Sequence, residues 1–185
     1  MNRILSLFIP ITALAACSGE PRDSETVESL TPNGEPASVA LIGNDGSPIG
    51  SVAISQDANG TTLSLSVEGG LDEGLHGVHL HETGACELPD FSSAGGHWNP
   101  EGKQHGRDNP EGAHVGDLAN MAADADGKGS STFLVENVLV DGGTFAMADA
   151  DGTALVIHAG PDDYMTDPSG DSGARVGCAV LAPAP

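Results

Sequence analysis

The chain has 185 residues, enough for one domain and a tail. Apolar residues make up 38% and aromatics only 3%, so a core must be built from aliphatic side chains, as in many β-sandwiches and barrels. Six basic residues against 27 acidic ones give a net charge of −21. That leaves no basic patch for nucleic acid, disfavours direct adhesion to an anionic membrane, and suits a soluble exported protein.

Met1-Asn2-Arg3 is a short basic start, and Ile4 to Ala16 is an apolar run interrupted by Pro10. The run is too short to span a bilayer and has the shape of a secretory signal. It ends in Leu14-Ala15-Ala16-Cys17, which resembles the bacterial lipobox, where the cysteine is lipidated and becomes the first mature residue. An ordinary signal peptide cut near Ala16 is the competing reading. Cysteine is scarce here and sits at the position the motif needs, so lipidation of Cys17 is preferred. It would place the protein in the periplasm or cell envelope, held to a membrane only through its lipid. Residues 17–36, with "SGEPRDSETVESLTPNGEP" after the cysteine, are polar and acidic and read as a disordered tether. The domain is expected over 37–185.

From Ala37 the chain reads as strands. "ASVALIG" (37–43), "GSVAISQ" (50–56) and "TTLSLSV" (61–67) alternate apolar and polar residues, with Asn44-Asp45-Gly46 and Asn59-Gly60 as turns between them. "GVHLH" (77–81), "STFLVEN" (131–137), "TALVIHAG" (153–160) and "ARVGCAVL" (174–181) continue the series. No stretch keeps a helical period. The expected fold is all-β, an antiparallel sandwich or Greek-key barrel. Two irregular segments, Glu82 to about Ala113 and Gly160 to about Gly173, are long for a compact domain and read as functional loops. "DADG" occurs at 124–127 and 149–152 without the glycine and distal glutamate of a calcium loop, so both copies read as turns.

The chemistry lies in the histidines. His79 and His81 are two apart on a strand, so both project to one face; His76 differs in parity and faces the other way. His97, His105, His114 and Asp117 follow, then His158. Imidazoles suit zinc, copper, nickel or iron, and three histidines with one aspartate suit tetrahedral zinc. Of three cysteines, lipidation would remove Cys17 and leave Cys86 and Cys178 able to pair. Such a bond would close a loop of about 90 residues and contribute on the order of 4 kcal/mol.

"GLHGVHLHETGAC", "SAGGHWNPEGKQHG", "AHVGDLAN", "ALVIHAGPDD" and "GARVGCAV" together resemble, in order, the signature blocks of the copper/zinc superoxide dismutases, over roughly 37–182. The resemblance implies an eight-stranded Greek-key barrel that disproportionates superoxide to dioxygen and hydrogen peroxide. It implies one copper per chain on His79, His81, His97 and His158, and one zinc on His97, His105, His114 and Asp117, with His97 shared between the metals. It further implies an intradomain Cys86–Cys178 disulfide and Arg175 at the mouth of the copper site. Asp162 would be a carboxylate linking histidines of the two metals, and His76 a structural donor to a backbone carbonyl. Oligomeric state is left open, a homodimer included.

A substrate anion must approach a strongly acidic protein, so local cations matter. Lys103, Arg107 and Arg175 lie in or beside the long loops, whereas "GPDDYMTDPSGDSG" has no lysine. Weak dependence of the rate on ionic strength is therefore expected. A metal-holding module of the same fold without turnover is the alternative. A zinc hydrolase, which needs an open water position and a general base, fits less well.

Overall fold

The computed structural model describes residues 37–184. The signal-like start, Cys17 and the tether lie outside the described residues.

The domain is built from short strands: β1 Ala37–Gly43, β2 Pro48–Asp57, β3 Gly60–Val67, β4 Gly74–His76, β5 Val78–His81, β6 Met121–Ala123, β7 Gly129–Glu136, β8 Val138–Leu139, β9 Phe145–Ala146, β10 Thr153–His158 and β11 Arg175–Ala182. The only helical turn among the described residues is a 3₁₀ turn at Ser92–Ala94. Seven strands form one antiparallel sheet in the order β5-β10-β11-β1-β2-β3-β7.

The sheet curls until its edges meet. β4 pairs with β6, His76 opposite Met121, and β6 turns directly into β7 through a hydrogen bond from Asp124 N–H to Lys128 O at 2.8 Å. β4 and β5 act as one stave interrupted at Gly77. Counting that stave once gives eight around the ring: β1, β2, β3, β7, β6, β4–β5, β10, β11. Chain order and ring order differ, because β3 leads across the barrel to β4 and β7 leads back to β10. This is the Greek-key pattern, and closing the ring leaves little exposed edge.

The expected strands are present with ends moved by a few residues. Four were not foreseen: β4, β6, β8 and β9 are two or three residues long, too short to show a period. "GVHLH" forms β5 from Val78 onward, and Gly77 separates it from β4. Both "DADG" segments are turns. The Asp124 carboxylate accepts N–H groups of Asp126 and Lys128, each at 2.9 Å, and Asp149 does the same for Asp151 and Gly152.

The core is aliphatic, as the composition requires. Leu41, Val52, Leu63, Leu65, Val78 and Leu80 are among its fully buried members. Alternation on β5 sends Val78 and Leu80 inward and leaves His79 and His81 on the outer face. All four are nonetheless buried, because the long loops cover that face. A second small cluster of Phe91, Ala94, Ala154, Val156 and Cys178 lies under the first loop. There the Cys86–Cys178 disulfide ties loop to β11, joining cysteines 92 positions apart in sequence.

Candidate metal centre

The first long loop returns beside β5 instead of leaving the barrel. Trp98 N–H donates to Leu80 O and Leu80 N–H to Gly116 O, both at 2.8 Å. Isolated bridges then set His97 beside His81 and Asp117 beside His79. β10 pairs with β5 and delivers His158 at its end, where its register against β11 shifts. Histidines up to 79 residues apart in sequence thus share one buried patch.

In four of them one ring nitrogen is pinned and the other is free. His79 Nε2 donates to Asp162 Oδ2 at 2.8 Å, and His81 Nδ1 to Gly95 O at 3.0 Å. His158 Nδ1 donates to Gly173 O at 3.0 Å, and His97 Nδ1 to Asp117 Oδ1 at 2.9 Å. The remaining nitrogens, His79 Nδ1, His81 Nε2, His97 Nε2 and His158 Nε2, are buried and have no hydrogen-bond partner. They lie within 4.8 Å of one another. Leaving a buried polar atom unpaired costs about 1–3 kcal/mol, and four converging lone pairs also repel. A cation relieves both penalties, and an all-imidazole set suits copper.

A second group gathers on one oxygen. Asp117 Oδ1 faces Nδ1 of His97 at 2.9 Å, of His105 at 2.9 Å and of His114 at 3.1 Å. Its other oxygen accepts N–H groups of Gly106 and His114 at 2.9 Å each, so the carboxylate cannot rotate away. Three imidazoles and a carboxylate suit tetrahedral zinc. His97 belongs to both groups, with Nε2 toward the first and Nδ1 toward the second. Asp162 also reaches both, through His79 and through His105 Nε2 at 3.0 Å. Gly170 lies over this carboxylate at φ 65°, and a Cβ there would fall 1.8 Å from Asp162 Oδ1. His76 is apart from both groups, its ring between His158 O at 2.7 Å and Asp72 O at 2.9 Å.

Burial makes the first group ready for metal. Loss of water pushes His81 down to about 2, against its Gly95 hydrogen bond and helped by His97, Arg175 and His158. It pushes His158 to about 3 and His97 to about 4, the latter against Asp117. These rings are neutral at pH 7, so no proton need leave before a metal binds. His105 differs. Burial opposes its charge, but hydrogen bonds to Asp117 and Asp162 outweigh that and raise it to about 9. Burial likewise works against ionised Asp117 and Asp162, and their histidine partners still hold both well below the usual carboxylate range.

Arg175 lines a cavity of about 230 Å³ together with His81, His97 and His158 of the first group. The guanidinium donates to Phe91 O and Gly95 O at 2.5 and 2.6 Å. The other two candidate cations are engaged elsewhere. Lys103 pairs with Glu101 at 3.4 Å, both about half exposed, and Arg107 sits 3.6 Å from the centroid of the Tyr164 ring.

Sequence reasoning missed Asn120 and Tyr164, which surround Asp162, and the Gly95 carbonyl, which orients both His81 and Arg175. Asn120 stands in one of the quoted blocks, "AHVGDLAN", but only its contacts give it a role.

The sequence profile of the family described as "Copper/zinc superoxide dismutase (SODC)" matches residues 49–181. A "Superoxide dismutase [Cu-Zn] 2" of Aquifex aeolicus is 40% identical over 148 residues, 78% of this chain and 85% of that one. A "Superoxide dismutase [Cu-Zn]" of Caulobacter vibrioides is 41% identical over 150 residues, 78% of this chain and 84% of that one. The crystal structure of a "SOD-like protein from Bacillus subtilis" superposes with a TM-score of 0.73 at 40% identity, covering 78% of this chain and 97% of that one. Fold, profile and relatives agree, and this chain belongs to the copper/zinc superoxide dismutase family.

Proposed function

We propose that the protein disproportionates superoxide: two superoxide ions and two protons give one dioxygen and one hydrogen peroxide. His79, His81, His97 and His158 would hold copper, and His97, His105, His114 and Asp117 would hold zinc. His97 would bridge the metals, one per site in each chain. The observation that carries this reading is the convergence of four unpartnered buried imidazole nitrogens, three of whose rings line a cavity with Arg175. Bound copper would supply the one-electron oxidation and reduction that side chains alone lack, and zinc a fixed positive charge.

The chain's own residues supply the rest. Arg175 is held by two carbonyls and offers its charge to a small anion in the cavity. Asp117 holds the His97 ring by Nδ1, which leaves Nε2 as the atom that can carry a proton to the cavity and release it there. Gly95 O, Gly173 O and Asp162 set the tautomers of His81, His158 and His79, so each presents a lone pair without reorganisation.

A relative of about 40% identity bears the name superoxide dismutase-like, so membership alone does not separate an enzyme from a metal-holding module. Here the four inward nitrogens and Arg175 are all present. Metal analysis should find one copper and one zinc per chain, and the loaded protein should consume superoxide with inhibition by cyanide. Fully metallated protein without turnover would leave only the metal-holding reading.

Export and a lipid anchor at Cys17 are part of the same proposal, supported by Leu14-Ala15-Ala16-Cys17. Mass spectrometry of the mature N-terminus tests it; an unmodified terminus away from Cys17 would end it.

A further inference from the structure

Asp162 holds His79 and His105 together, yet it lies on a loop without strand neighbours. Its own position is set by two residues. Asn120 acts on the backbone: its Oδ1 accepts Asp162 N–H at 2.8 Å and its Nδ2 donates to Asp162 O at 2.9 Å, as a paired strand would. Tyr164 acts on the carboxylate, its N–H donating to Asp162 Oδ1 at 2.6 Å. The two are joined, because Tyr164 Oη accepts Asn120 N–H at 2.8 Å.

Tyr164 has φ 62°, a left-handed conformation that a tyrosine rarely adopts and that its surroundings must hold. The first loop does so from two sides. Asp108 N–H donates to Tyr164 O at 3.0 Å, and the Arg107 guanidinium covers the ring face. A cation over an aromatic face contributes attraction as well as packing. The two long loops are thereby locked across the carboxylate that joins the histidine groups.

We propose that Asn120 and Tyr164 are positioning residues for Asp162, and that Arg107 braces the Tyr164 ring rather than steering anions. This rests on the two-metal reading of the centre. Misplacing Asp162 frees Nε2 of His79 and of His105 together, so it should weaken both sites at once. Loss of such outer partners characteristically lowers metal affinity about 10- to 100-fold.

The test uses the full domain with Asn120→Ala, Tyr164→Phe, Tyr164→Leu and Arg107→Gln. Zinc affinity is read by chelator competition, the visible spectrum with cobalt(II) alone in place of zinc, and thermal stability without metal. Asn120→Ala should lower zinc affinity at least about tenfold and shift the cobalt spectrum. Tyr164→Phe, which keeps the ring under Arg107 and loses only the hydroxyl, should do less than Tyr164→Leu. Asn120→Asp, which retains the acceptor for Asp162 N–H, should lie between Asn120→Ala and the parent. Arg107→Gln should shift metal affinity and spectrum in the direction of Tyr164→Leu. Parent-like affinity and spectrum in Asn120→Ala and Tyr164→Leu, with only a lower melting temperature, would assign both residues to general stability and overturn the proposal. An Arg107→Gln protein with unchanged metal properties but slower low-salt turnover would restore it as a steering cation. If the parent protein binds neither metal, the two-metal reading itself falls, an outcome distinct from parent-like variants.

Discussion

His81 and Arg175 hang on one atom, the carbonyl oxygen of Gly95, which accepts from His81 Nδ1 at 3.0 Å and from the Arg175 guanidinium at 2.6 Å. The cation proposed to meet the anion and a ring that faces the proposed copper are therefore set by the same peptide. Arg175→Lys keeps the charge but cannot span Phe91 O and Gly95 O together. A charged hydrogen bond to an anion is worth about 1.5–3 kcal/mol, so Arg175→Ala should slow superoxide consumption by about 10- to 100-fold. Copper and zinc contents should stay at parent levels, since the guanidinium touches no ring nitrogen. Metal analysis beside pulse-radiolysis rates checks this, and loss of copper in step with rate would show a different role for Arg175.

The disulfide controls the same peptide from outside. Cys86 opens the stretch that supplies Phe91 O and Gly95 O, and Cys178 lies three residues after Arg175 on β11. Replacing both cysteines by serine should cost on the order of 4 kcal/mol by loop entropy, a fall in melting temperature of about 10 °C. Calorimetry of the metal-free proteins measures it. Turnover of the loaded variant should also fall, because the carbonyl anchors of Arg175 are no longer tethered. A variant with reduced stability and full activity would separate the bond from the guanidinium.

The expected weak salt dependence rests on where the cations lie. Lys103 is neutralised by Glu101, Arg107 lies on Tyr164, and the loop from Gly160 to Gly173 carries four aspartates and no lysine. Among the described lysines and arginines, only Arg175 lines the cavity. Between about 10 and 150 mM salt, where the screening length falls from about 30 to 8 Å, the rate should change by less than about threefold. Steered encounters gain tenfold or more at low salt, so a steep decline with added salt would contradict this assignment.

The parts of the site visible in the sequence are those governed by short-range rules. His79 and His81 declare a shared face by their spacing, the alternation of β1, β2 and β3 marks them as strands, and β10 and β11 stand out as short apolar runs. Gly77 conceals that the three residues before it, β4, continue the stave of β5. β6 is invisible because three residues cannot show a period, yet it closes the ring. The roles of Asn120 and Tyr164 depend on a loop that departs after β10 and returns over one that departs after β5. No local pattern connects positions 44 residues apart. The engagement of Lys103 and Arg107 is hidden for the same reason: a sequence shows a cation but not its partner.

The metal-free protein should be most stable near pH 6.5, and the sign follows from the rings. Below that pH an unfolded chain protonates His81, His97 and His158 near their ordinary value of about 6.5. The folded chain refuses those protons until about 2, 4 and 3 respectively. The unfolded state binds more protons, so stability falls as the solution is acidified from 6.5 toward 4. Above 6.5 His105 acts in the opposite sense: the folded chain keeps its proton up to about 9 while the unfolded chain has lost it, so that contribution fades as pH rises. Denaturant midpoints of metal-free protein from pH 4 to 10 should trace a maximum. Zinc competes with the His105 proton for Nδ1, so zinc uptake at pH 7.5 should release close to one proton per chain. Its affinity should climb with pH until about 9 and then level. His105→Asn should abolish the released proton and flatten the alkaline limb of the stability curve. A parent protein that takes up zinc without releasing protons would mean that His105 is already neutral between its two carboxylates.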